Sequence, residues 1–274
     1  MRFFSPPGQE HTSADPKSVR PRYYQRLLVI LFLLAVWEIS ARASGVSPLL
    51  FPPVSMVLQT LLTDLAKGTL PGRIGFSLLI VAEGVCLGIT GALLLSMTGY
   101  LNRYAGRAVD TLVALLHPLP GIALLPIVIL WAGIGRTAVL LIIVHSVLWP
   151  LTTSISAGIR TIPRHLYDVS RNFRLNLPQT VFHLILPAIF PHMLSGMRIG
   201  WARAWRALIA AEMVFGAAGG QGGLGWYIFQ KRVFMDTRGL FAGILVIMII
   251  GIAFESFLFE ILERGTIRKW GTSR

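Results

Sequence analysis

Six apolar runs punctuate the chain, at about residues 27–43, 75–98, 108–132, 137–159, 189–215 and 240–262. Each is of the length that carries a helix across a hydrocarbon core, which takes roughly 20 residues. The stretches between them are unequal. The one after the first run holds Pro48, Pro52, Pro53 and a pattern that predicts a short helix over 54–65. The one spanning 216–239 begins with a glycine-rich run, 219–225. The longest on the opposite side, 160–187, carries a helical pattern of its own, and connections of that length are usually functional or disordered. Inside the third run Pro118, Pro120 and Pro126 predict a break or kink, because each lacks an N–H and crowds the preceding turn. The pattern predicts an all-α integral membrane protein with six transmembrane helices.

Composition agrees. Of 274 residues, 54% are apolar and 14% charged, with a mean hydropathy of +0.67; a soluble domain carries about 25% charged residues. This excludes disorder, collagen, coiled coil and a small disulfide scaffold. The net charge of +13 would suggest nucleic acid in a soluble protein. Here the basic residues gather between the apolar runs, so a bilayer, not nucleic acid, is the expected partner. With the amino terminus placed inside, 15 Lys and Arg fall in inner segments and 7 in outer ones, which predicts both termini cytoplasmic. Residues 1–24, with four prolines among polar neighbours, read as a flexible cytoplasmic tail, and 25–274 as the membrane domain. The polar stretch ahead of the first run and the lack of a small-residue cleavage site after it argue against a cleaved signal peptide. The single cysteine, Cys86, allows no intramolecular disulfide and is expected to be a small buried hydrophobe.

Catalytic and metal signatures are absent. No G-x-x-x-x-G-K-[ST], H-E-x-x-H or G-x-S-x-G occurs, and the glycine run at 219–225 has neither a preceding strand nor a Lys-Ser/Thr sequel. The chain is not expected to be an enzyme or to hold a metal or cofactor.

In the 160–187 connection, Leu166, Val169, Ser170 and Phe173 fall at i, i+3, i+4 and i+7 of one helix. Asn176 and Pro178 suit the start of a second helix, whose apolar side holds Val181, Phe182 and Ile185, and Pro187 interrupts it before the fifth run. This predicts a cytoplasmic helix–turn–helix with an apolar face, a knob for a groove on a partner.

The segment resembles the EAA motif of permease subunits of ATP-binding-cassette importers. Asp168, Val169 and Ser170 stand at E-A-A, Arg174 at the motif's glycine, Leu184 at its isoleucine, and Leu186 and Pro187 at its closing L-P. Pro118 to Pro126 with Leu130 to Gly135, Leu194 to Gly200, Trp205 to Met213, Gly223 to Gly225 and the closing Glu263 to Trp270 resemble the nitrate, taurine, aliphatic-sulfonate and bicarbonate permeases. The resemblance implies a type I importer permease fold in a bacterial inner membrane. It also implies ATPase subunits that hold ATP and Mg, an extracytoplasmic binding protein and a second permease copy, with coupling through the helix–turn–helix. Because arginine adopts a positive φ with difficulty, the turn is expected to shift from Arg174 toward Asn176, which tolerates it better.

Ionisable groups within a span need a partner or water. Arg198 lies near an end and is expected to snorkel. Glu83 is expected to pair structurally. Arg203, Arg206 and Glu212, with His117 and His145, are the candidates to line a pathway, against the alternative of interhelical pairing and packing; Arg206 and Glu212, six apart, do not face each other. A secondary transporter or channel working without an ATPase, and a membrane anchor that transports nothing, are the competing functions.

Overall fold

The computed structural model describes residues 22–215, 222–258 and 261. The tail expected at 1–24 lies almost wholly outside them, as do residues 219–221 of the glycine run and the closing stretch from Glu263.

Two compact units divide at Ser55. In the first, α1 (Arg22–Ala43) presents Leu27 through Leu33 exposed, each by more than half. Seven consecutive bare apolar side chains belong in lipid or against another chain, not in water. Glu38 ties the helix end to the loop after it, accepting from Arg42 Nε (2.6 Å), Ser55 Oγ (2.9 Å) and the Ser55 N–H (3.0 Å).

In the second unit every regular element among the described residues is a helix. α2 (Val54–Ala66) matches the short helix expected there. α3 (Thr69–Leu101), α6 (Arg136–Thr161), the continuous stretch Leu177–Phe215 and Thr237–Ser256 are each long and apolar enough to cross a membrane. Between α3 and α6 the third apolar run is broken, as its prolines predict. α4 (Arg103–Leu116) starts on Asn102, whose side chain accepts from the N–H groups of Tyr104 (2.8 Å) and Ala105 (3.3 Å). It stops before Pro118; a 3-10 turn (Gly121–Leu124) follows, and α5 (Leu125–Ala132) restarts with Pro126 in its first turn. The two arms meet at 91°.

α6 is the axis of the bundle. In its most apolar window 61% of residues are buried, against 28% for α3, and Ile142, Ile143, Leu151 and Ile155 are wholly enclosed. Glycine lets the neighbours close in. A Cβ at Gly88 of α3 would lie 2.7 Å from Val147 Cβ, and one at Gly200, on the other side, 3.3 Å from Val147 Cα. Small residues at such crossings replace the hydrophobic drive that lipid removes.

After α6 come α7 (Arg164–Asn172), the single turn α8 (Leu177–Thr180), a π turn (Val181–Ile185) and α9 (Leu186–Phe215). Then follow α10 (Leu224–Val233) and α11 (Thr237–Ala253), which ends in a π turn (Phe254–Leu258). Three expectations are corrected here. Pro187 does not interrupt its helix: the turn ahead of it widens to π, with the Leu186 N–H reaching back to Val181 O, and the helix runs on. Cys86 is exposed on α3, not buried, for in a helix that is apolar all round the sequence carries no sign of which side faces inward. The turn does not move to Asn176 either. Arg174 itself takes the positive φ, 50°, because α7 closes with the Leu175 N–H on Ser170 O (3.0 Å) and the Arg174 N–H on Arg171 O (2.9 Å), a pairing that requires it. Asn176 is extended instead and caps α8 in a reciprocal capping box with Gln179. Arg174→Gly is therefore expected to stabilise this loop by about 1 kcal/mol. Limited proteolysis at the loop reads the effect; equal cleavage rates in the two forms would count against a strained arginine.

Candidate functional site

The broken helix and α9 enclose a cavity of about 360 Å³. His117 ends α4, Pro118 to Ile122 form the elbow, α6 contributes His145 and Ser146, and α9 contributes Arg203, Arg206, Ala207 and Ala210. These four stand at i, i+3, i+4 and i+7, one stripe down the helix.

Breaking a helix at membrane depth frees backbone groups that lipid cannot satisfy. The elbow meets this in two ways. Its prolines have no N–H to orphan. The His117 carbonyl accepts from Arg203 Nη1 (3.2 Å), and Arg203 Nη2 lies 3.4 Å from His117 Nε2. Arg206 is less committed: Nε donates to Ala202 O (2.8 Å) on its own helix, and the side chain is exposed. Both ring nitrogens of His145 and Nδ1 of His117 are buried with no hydrogen-bond partner. Buried polar atoms are seldom left so. Two guanidinium groups and three unpartnered ring nitrogens thus border one cavity.

Of the five residues singled out in the sequence, four line this cavity and Glu212 does not. Glu212 is 3% exposed and lies outside the cavity lining, bound instead to α3 and α10. Its carboxylate accepts from Ser77 Oγ of α3 (2.8 Å) and from the Gly225 N–H at the start of α10 (2.8 Å), while Ser77 Oγ in turn accepts from the Leu224 N–H (2.9 Å). The space above it admits only glycine, since a Cβ on Gly225 would lie 2.6 Å from Glu212 Cβ. Glu212 is a fastening, not a lining residue. Glu83 is bound in an ion pair with Arg136 across α3 and α6. Arg198 donates to Glu255 O (3.3 Å).

A second polar cluster had no counterpart in the sequence reading. Tyr227 Oη donates to Asp64 Oδ2 (2.6 Å), and Lys231 Nζ bridges Asp236 Oδ2 (2.7 Å) and Asp64 Oδ2 (3.3 Å). Burial opposes the Lys231 charge, but Asp236 and Asp64 outweigh it and hold its pKa above the ordinary value. Burial likewise pushes Asp236 up, yet Lys231 and the Gly239 N–H bring it below the ordinary carboxylate value. The raised amine stabilises the fold below the ordinary lysine range and stops doing so as pH rises through its folded pKa. The lowered carboxyl stabilises above the ordinary aspartate range and stops as pH falls through its own. A melting temperature flat through neutral pH and falling at both extremes is expected, each limb worth about 1 kcal/mol or less for so exposed a pair. Asp236→Asn should flatten the acid limb; an unchanged limb would assign it elsewhere.

In the α7–α8 pair, the expected apolar face is divided. Leu166 packs on the bundle and Ser170 is buried, its Oγ donating to Tyr167 O (2.8 Å). Val169 (45% exposed) and Phe173 (75%) point outward, as do Leu177 and Phe182. Asp168 is exposed beside Arg171 (3.9 Å), and Leu186 and Pro187 are half-buried at the root of α9. Ala207 and Ala210 went unnoticed in the sequence; their spacing from Arg203 is the signal that finds them.

Residues 84–268 match the family described as the binding-protein-dependent transport system inner membrane component. A Bacillus subtilis permease protein named for aliphatic sulfonates transport is 30% identical over 265 residues, 96% of this chain and 94% of its own. The taurine transport system permease protein of Escherichia coli is 29% identical, over 85% of this chain and 86% of that one. The nitrate import permease protein of Synechocystis is 25% identical, over 89% and 88%.

Proposed function

The chain belongs to the family of binding-protein-dependent transport inner-membrane components and is a permease subunit of an ATP-binding-cassette importer; from that premise we propose that its cavity is the station of a small anion crossing the membrane. The convergence of Arg203, Arg206, His117 and His145 on one cavity at a broken helix carries this reading. Arg203 is half-buried, and a positive charge so placed attracts an anion more strongly than the same charge on an open surface. Sulfonate, taurine and nitrate, the solutes in the relatives' names, all present a compact oxyanion, the chemistry those donors fit.

The remaining parts follow from this reading. α1, α3, the α4–α5 pair, α6, α9 and α11 are the six spans of the type I permease fold, in a bacterial cytoplasmic membrane with both termini inside. The α7–α8 pair faces the cytoplasm and seats on an ATPase that carries the ATP and Mg, as Asp168, Val169, Ser170 and Arg174 stand at motif positions and Phe173 lies exposed between them. A binding protein delivers the anion from outside, and a second copy of the chain completes the pathway.

Orientation is tested with a membrane-impermeant thiol reagent in a Cys86→Ser background. Lys67→Cys should label from outside and Arg171→Cys should not; the reverse would overturn both the topology and the docking role of α7–α8. Proteoliposomes holding the chain, its ATPase and its binding protein test the importer itself. Uptake that proceeds without ATP would contradict it.

A further inference from the structure

We infer that the cavity selects an anion with an uncharged, apolar body and turns away a zwitterion bearing the same anionic head. This rests on the cavity being the anion's station. Its charged lining residues are Arg203 and Arg206, its other polar side chains are two imidazoles and the Ser146 hydroxyl, and no carboxylate lines it. The carboxylates on the flanking helices are paired elsewhere: Glu83 with Arg136, Asp110 with Arg160 (3.8 Å), and Glu212 with Ser77 and the Gly225 N–H. An ammonium carried into this space meets two guanidinium charges and no carboxylate in the lining. A neutral imidazole offers one acceptor nitrogen, too little to offset them.

The stripe on α9 says where the two ends of the solute lie. Arg203 and Arg206 are followed by Ala207 and Ala210, so charge gives way to small apolar surface within about one turn, roughly 6 Å. Leu119 and Ile122 of the elbow add further apolar surface to the lining. The volume of about 360 Å³ falls within the range of pockets that hold small organic molecules, about 300–1,000 Å³, and far exceeds what a bare inorganic oxyanion fills. The head belongs at the arginines and the hydrocarbon beside the alanines.

The test uses the full chain with its ATPase, solubilised so that both faces are open, in a Cys86→Ser background with Ala210→Cys as reporter. Methyl methanethiosulfonate modifies the thiol, and three probes compete: propane-1-sulfonate, 2-aminoethanesulfonate and nitrate. The first two differ only in a terminal methyl against a terminal ammonium. Propane-1-sulfonate is expected to protect at a concentration at least about tenfold below that of either other probe, the ratio that 1.4 kcal/mol produces. Ala207→Cys, one turn from Arg203, is the second reporter should Ala210→Cys fold poorly. Equal protection by the two sulfonates, lost on Arg206→Ala, would overturn this selectivity and leave the anion station standing. No protection by any probe, with labelling indifferent to Arg206→Ala, would overturn the station and the selectivity together.

Discussion

Phe173→Asp is expected to reduce capture of the ATPase by this chain by roughly a hundredfold while the helical bundle stays folded. Phe173 caps the end of α7, three-quarters exposed, with Val169 one turn behind it also outward. An aromatic ring held bare on a polar loop is a side chain waiting to be covered. Covering it contributes about 1.5–3 kcal/mol, and a carboxylate in its place adds the cost of desolvating a charge. Together these reach the roughly 2.7 kcal/mol that a hundredfold change in affinity requires. Nothing in the bundle depends on the ring, so the melting temperature of the solubilised chain should hold. Pull-down of the ATPase and substrate-stimulated ATP hydrolysis in reconstituted membranes measure the effect, and parental levels of both would remove α7 from the coupling role. Leu166→Asp is the contrast. That side chain packs against the bundle, so its loss should destabilise the loop itself.

The two pathway arginines are expected to fail differently. Arg206→Ala should cut uptake at least tenfold with assembly and melting temperature unchanged, because its guanidinium is exposed at the cavity and its one hydrogen bond is to its own helix. Arg203→Ala should lower the melting temperature first. Its guanidinium serves the carbonyl of His117 at the broken end of α4; leaving a buried carbonyl without a donor costs about 1–3 kcal/mol, and this partly buried one sits at the low end of that range. Uptake in proteoliposomes beside thermal melting separates the two. Loss of assembly in Arg206→Ala would make that residue a structural partner, and unchanged uptake would make it incidental.

What the sequence disclosed followed the kind of signal each element emits. Proline chemistry is local, so the break at Pro118 and Pro120 was legible, and so was the short helix at Val54. α10 was not, because the glycine-rich run ahead of it read as loop. Facing directions inside apolar helices were the weakest part. Cys86, Leu166 and Ser170 each sit where only tertiary packing decides inward from outward. Arg203 and Arg206 announced themselves as charges in an apolar run, but so did Glu212, and nothing in the sequence told a carboxylate fastened by Ser77 and a glycine N–H from one facing a cavity. The network of Asp64, Tyr227, Lys231 and Asp236 joins residues about 160 positions apart, beyond any periodicity.

Glu212 has a mechanical consequence. Leu177–Phe215 is one helical path of 39 residues, about 58 Å long, with the exposed Phe173 just before its start and the Glu212 fastening near its end. Rotation of α9 about its own axis would tear the carboxylate from Ser77 and from the α10 backbone at once. Sliding and tilting, with α3 and α10 carried along, would not. A push delivered at the α7 end would therefore travel as the swing of a bolted lever, carrying Arg206, partway along the arm, with it.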